Sequence, residues 1–208
     1  MTLLNVFVDA DRALVAVDTR TKVQFPGEEP HESSKLLLIP HSGLLIAGRG
    51  YIAFLAEVQN SLAVSTGDVH LDVALGFMPQ LLKHAEQLTV TRFPPQPDDP
   101  YAFGPQQILV VGWSREHSRM LAVNFLQKEA GDGFDRIDVE CMSAAPWDEA
   151  GQGPYPALNT QAGMKAAARS QVRFFNPRHP DQPLGGRLVV AEVTRQSMSV
   201  RSDIVLPD

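Results

Sequence analysis

The residue best placed to do chemistry is Thr2, directly behind the initiator Met1. A small second residue permits methionine removal, which would leave threonine as the mature amino terminus. Its hydroxyl would then lie beside its own α-amine, a group that titrates near about 7.7–8.0 and accepts the hydroxyl proton at neutral pH. Threonine is common after methionine, so the rest of the chain must supply the case. Other candidates are less well arranged. His31, His41, His70, His84, His117 and His179 are dispersed without metal-ligand spacing and read as surface residues. Gly48-Arg49-Gly50 is too short for a dinucleotide loop. Cys141 lies in an expected strand, where a small buried hydrophobe is the simplest role. Ser114 and His117 have no nucleophile elbow around them. Trp113 and Trp147 read as packing or interface residues. No cofactor and no metal is expected.

The elements that must position Thr2 follow from hydrophobic periodicity. Leu3–Val8 and Ala13–Val17 are apolar runs joined by Asp9-Ala10-Asp11-Arg12, a hairpin with an Asx turn. The runs are nearly continuous, as in strands buried on both faces. Residues 25–32 read as a polar loop without regular structure. Lys35–Ile39 and Leu44–Ala47 form a second hairpin. From Gly50 the period changes to that of an amphipathic helix, with Ile52, Phe54, Leu55, Val58 and Leu62 on one face. A second helical stretch runs from Leu71 through Ala85, with Pro79 a kink or a boundary. Five prolines make Phe93–Pro105 a surface loop. Ile108–Val111 and Met120–Phe125 are strands, and Phe134–Met142 alternates as another. Ala144–Pro156 is a Pro/Gly-rich loop. A third helix covers Thr160–Phe175, and Leu188–Val193 and Met198–Val205 close the chain as strands. Helices inserted in blocks between antiparallel hairpins imply a layered sandwich rather than alternating strand–helix–strand units.

Composition sets the boundaries. The 208 residues suit a single domain, 1–208, and a hydrophobic content of 44% is enough for a core. Eighteen basic against 24 acidic side chains leave a net charge of −6, which argues against nucleic-acid and anionic-membrane partners. One cysteine excludes an internal disulfide. No apolar run approaches a membrane span and the amino end is not a secretory signal, so a cytoplasmic protein is expected.

Asp18 ends the second strand, Lys35 opens the third, and Gly48 ends the fourth. Counted from Thr2 as first residue, they fall at positions 17, 34 and 47. With that spacing the chain resembles a proteasome β subunit or its bacterial relative, the HslV protease subunit. Val17–Arg20, Ser34–Ile39 and Leu44–Gly48 match the family's segments in order. The resemblance implies an α+β, four-layer αββα sandwich of the amino-terminal-nucleophile hydrolase type. It implies that Thr2 attacks a peptide carbonyl, Lys35 favours the deprotonated hydroxyl and amine, and Asp18 holds and charge-balances Lys35. The Gly48 amide would be an oxyanion donor. In the carboxyl half, Asp181-Gln182-Pro183-Leu184-Gly185-Gly186 is similar to the family's Asp-x-x-Ser-Gly-Gly turn, with Asp181 at the aspartate and Leu184 at the auxiliary serine. Ser143 is the candidate for the family's Gly-Ser-Gly serine, without its flanking glycines.

Two readings stay open. The resemblance implies a threonine peptidase subunit that self-associates into a ring, acts on peptide or unfolded protein, and is fed by an AAA+ unfoldase. Leu184, the missing glycines and a retained Met1 would instead fit a non-catalytic structural or assembly protein, for example of a bacterial or phage particle. A hydrolase of small amides is a third, weaker reading.

Overall fold

A computed structural model describes residues 2–21, 31–64, 69–94, 105–129, 131–144, 157–180 and 183–207. The fold is mixed α+β, with three α-helices and antiparallel sheets among the described residues. Strands β1 (Leu4–Val8) and β2 (Arg12–Asp18) form the expected first hairpin. Its turn is closed by Asp9, whose Oδ1 accepts from the amides of Asp11 and Arg12, both at 2.9 Å. Two short strands pair outside the expected hairpins: β3 (Arg20–Thr21), and β4 (His31–Glu32) at the end of the stretch expected to be irregular. Residues this polar carry no alternation signal, so the pairing was invisible to periodicity. β5 (Leu36–Ile39) and β6 (Leu44–Arg49) make the second hairpin around a 3₁₀ turn at Pro40–Ser42.

Helices α1 (Ile52–Ala63) and α2 (Leu71–Arg92) follow, and α2 runs through Pro79 without ending there. Asp72 in the first turn of α2 ties that helix to the turn after β7 (Gln106–Ser114). It accepts from Ser114 Oγ at 2.6 Å and from the Arg115 amide at 2.8 Å. Burial alone would raise the Asp72 carboxyl, but these donors outweigh it and hold the group below the ordinary range. β8 (Arg119–Gln127) pairs with β7 over nine residues.

The strand expected at Phe134–Met142 is two strands. β9 (Asp135–Val139) pairs with β8, whereas β10 (Cys141–Ala144) pairs with β1 in the other large sheet. Glu140 lies between them, and its carbonyl accepts from the Val8 amide at 2.8 Å. Alternation continues through the change of sheet, which is why sequence pattern merged the two. Cys141 is exposed rather than buried, because β10 is an edge strand. Helix α3 (Gln161–Phe175) starts at Thr160, whose hydroxyl accepts from the Gly163 amide as an N-cap. β11 (Arg187–Thr194) and β12 (Met198–Val205) complete the chain.

One five-stranded sheet has the order β10-β1-β2-β11-β12, the other β5-β6-β7-β8-β9. Three apolar clusters account for the core. The first joins α1 and α2 to the β5–β9 sheet through Phe54, Val58, Met78, Leu82, Val110 and Phe125. The second joins the two sheets through Leu4, Val6, Val15, Leu45, Leu109 and Ala191. The third joins α3 to the β10–β12 sheet through Leu3, Leu14, Met164, Val172 and Leu188. Odd and even residues of β1 and β2 are thus both buried, which explains their continuous apolar runs. No described helix is long and apolar enough to cross a membrane.

Candidate active site

Asp18 is the last residue of β2 and is fully buried. Its carboxylate collects three donors from distant parts of the chain. Oδ1 accepts from the Leu3 amide at 2.9 Å and from Lys35 Nζ at 3.0 Å. Oδ2 accepts from the Gly185 amide at 3.2 Å. Lys35 is itself buried, just ahead of β5, and donates also to the Arg20 carbonyl. A buried ion pair survives desolvation when further polar partners support it, and here the backbone supplies two amides to Asp18 and a carbonyl to Lys35. Burial pushes the Lys35 ammonium below the ordinary lysine range; Asp18 opposes this and the Arg49 charge adds to it.

Thr2 is buried at 5% exposure, adjacent to the residue whose amide is held by Asp18. The terminal segment and the lysine are therefore fastened to the same oxygen. Gly48 lies at the opposite end of the hairpin from the Pro40–Ser42 turn, and its amide donates to the Lys35 carbonyl at 3.2 Å. A Cβ at Gly48 would come within 2.8 Å of Leu55 Cδ1 and 2.9 Å of the Gln107 carbonyl, so close packing of α1 and β7 requires glycine. An oxyanion at this amide would have to share or displace its long bond to Lys35.

Ser143 makes its hydrogen bonds to Asn5 and Gln171. It sits opposite Asn5 in the β1–β10 pairing and donates to Asn5 Oδ1 at 2.6 Å. Gln171 of α3 closes the group: its Nε2 donates to Ser143 Oγ at 2.9 Å, and its Oε1 accepts from Asn5 Nδ2 at 2.7 Å. Asp181 lies outside the described residues. Leu184, which the resemblance set against an auxiliary serine, is fully buried in the α3 cluster as a packing residue. Gly185 and Gly186 run along the end of β2: Gly186 has φ 74°, and a Cβ there would lie 2.6 Å from Thr19 Oγ1. The Gly185 carbonyl accepts from the Arg20 amide at 3.1 Å.

Two residues enter the site that sequence reasoning missed. Arg49, mostly buried, is held by Gln107 Oε1 at 3.3 Å and is close enough to couple electrostatically to both Asp18 and Lys35. A signal existed: Leu45 and Ala47 point between the sheets, so the next residue of that alternation is an inward-facing charge. Asn176, at the end of α3, grips the backbone of Leu184, and nothing local in the sequence marks it. Among the described residues no group of three His, Cys, Asp or Glu side chains is placed to hold a metal ion.

No family model and no curated protein matches the chain. Solved structures do. A mutant of Anbu from Hyphomicrobium sp. strain MC1 is 15% identical, with a TM-score of 0.61 over 100% of this chain and 88% of that one. Anbu from Yersinia bercovieri, described as an ancestral beta-subunit, is 14% identical, with a TM-score of 0.61 over 98% and 87%. The resemblance to a proteasome β subunit or HslV is corrected by these matches: the similar structures are Anbu proteins, a distinct family related to HslV, and at this identity what the chain shares with them is the fold.

Proposed function

We propose that the chain is a threonine peptidase subunit whose nucleophile is Thr2 after removal of Met1. The observation that carries this reading is the single Asp18 oxygen that holds both the Leu3 amide and Lys35 Nζ. In the mechanism the Thr2 hydroxyl adds to a peptide carbonyl and its proton passes to the α-amine. The Lys35 ammonium lowers the energy of the developing alkoxide, and Asp18 fixes the lysine and balances its charge. The Gly48 amide turns from the Lys35 carbonyl toward the oxyanion. The amine then returns the proton to the leaving nitrogen, and water hydrolyses the ester left on Thr2.

The same reading takes residues 1–208 as one four-layer αββα sandwich in the cytoplasm, supported by the three clusters that join helix to sheet, sheet to sheet and sheet to helix. It also has copies of the chain assembling into a ring that admits peptide or unfolded protein from an unfoldase. Support for assembly is the shared fold with a protein described as a beta-subunit.

The test is intact-mass measurement of the native amino terminus together with turnover of a short peptide amide. A chain beginning at Thr2 that cleaves the peptide, and loses at least a hundredfold in kcat on Thr2→Ala, is the expected result. A chain that keeps Met1 would remove the free amine and leave the second reading, a non-catalytic assembly protein. That alternative is favoured by Leu184 being committed to the core and by the Gly48 amide already having an acceptor.

A further inference from the structure

The Asp18 carboxylate is served on its second oxygen by a backbone amide in a connecting segment. Gly185 supplies it from the residues between α3 and β11, at 3.2 Å. A segment that carries a required donor must be held at both ends of the peptide group concerned. On one side Leu184 is anchored by burying its side chain in the α3 cluster. Its backbone is gripped by a single side chain, Asn176, just past the end of α3. Asn176 Oδ1 accepts from the Leu184 amide at 2.8 Å, and Nδ2 donates to the Leu184 carbonyl at 3.0 Å. A primary amide carries an acceptor and a donor on one rigid plane, so a single side chain bonds the amide and the carbonyl of Leu184 together. The Leu184 carbonyl and the Gly185 nitrogen belong to the same planar peptide unit. Fixing that carbonyl therefore fixes the direction of the Gly185 N–H.

We infer that Asn176 is a positioning residue that aims the Gly185 amide at Asp18 and, through Asp18, sets the Lys35 ammonium and the amino-terminal segment in place. The inference rests on the proposed peptidase reading for its kinetic consequence only. The chain of contacts runs from Asn176 to the Leu184–Gly185 peptide, to Asp18 Oδ2, and from Oδ1 to Lys35 and Leu3. Gly185 has φ 154°, a conformation that L side chains rarely adopt, and a Cβ there would press on the Arg20 guanidinium at 3.0 Å.

The experiment compares full-length wild type with Asn176→Ala and Asn176→Asp. Hydrogen exchange is followed over residues 183–188 by mass spectrometry, alongside kcat and KM on a short peptide amide and the thermal midpoint. Asn176→Ala is expected to speed exchange at the Gly185 amide at least tenfold. It should lower kcat about tenfold to a hundredfold, the scale of a misplacement near 1 Å, with KM within about twofold. Asn176→Asp keeps the acceptor for the Leu184 amide and should recover part of both losses, which a general loss of stability would not produce. If Asn176→Ala does not fold, exchange in Asn176→Asp decides, and wild-type protection there overturns the inference. Wild-type exchange and wild-type kcat in Asn176→Ala would also overturn it. If wild type turns over no peptide, the peptidase reading fails by itself, and the exchange of Gly185 still decides whether Asn176 aims that amide.

Discussion

Lys35 illustrates how much one residue's environment changes its chemistry. A lysine on a surface keeps its charge well above neutrality, whereas this one is enclosed beside a second cation, Arg49, and the Asp18 carboxylate. Its folded-state pKa therefore lies below the ordinary lysine value. In the pH interval between those two values the unfolded chain holds the lysine proton and the folded chain does not. Unfolding free energy consequently rises with pH across that interval. Urea midpoints measured from neutral to alkaline pH should show this rise in wild type and lose it in Lys35→Met. Lys35→Met should also be less stable at neutral pH by about 3 kcal/mol, since it takes the ammonium from the buried Asp18 carboxylate. An unchanged pH slope in Lys35→Met would show that another group titrates. The partnership of Asp18 with Lys35 was an implication of the family resemblance; their own spacing does not show that the two strand ends meet. The contribution of Arg49 was harder to read, since burial of a charge depends on which face of β6 the opposing sheet covers.

At the scale of elements, alternation and helical period located most strands and all three helices, because each buries an apolar face. They failed where pairing does not depend on burial, as in β3 and β4, and where one alternating run serves two sheets, as in β9 and β10. The group formed by Asn5, Ser143 and Gln171 shows what fixes such a junction. It ties β1, the edge strand β10 and helix α3 by three side-chain bonds, with Asn5 and Gln171 fully buried. Ser143, a candidate for the catalytic cluster, takes part in this bracket through its bonds to Asn5 and Gln171. Gln171→Leu strips Asn5 Nδ2 of its acceptor and should cost about 1–3 kcal/mol. Asn5→Leu in the same chain removes the stranded donor, so the double variant should be more stable than the sum of the single losses. Denaturant midpoints for the four chains of this cycle measure the coupling. Strict additivity would mean that the three side chains do not act as a unit.

For the whole molecule the net charge of −6 acquires a consequence once assembly is considered. Copies arranged in a closed ring repeat that excess around a common axis, and like charges at short range oppose association. The opposition is screened over about 8 Å at physiological ionic strength, so added salt should favour the assembled form. The apolar residues Val64, Val73, Val90 and Phe93, all exposed, lie on or just beyond α1 and α2, and their burial would not weaken in salt. The same field acts on substrates. At low ionic strength a peptide bearing lysine or arginine should be drawn to the assembly and show a lower KM than an equally long acidic peptide. Raising the salt should bring the two KM values together by raising the first and lowering the second. Light scattering across a salt series, with turnover of the paired peptides in the same buffers, tests both effects. A mass of one chain at every ionic strength would end the assembly proposal. Assembly with KM values indifferent to salt would place the excess charge away from the path that peptides take.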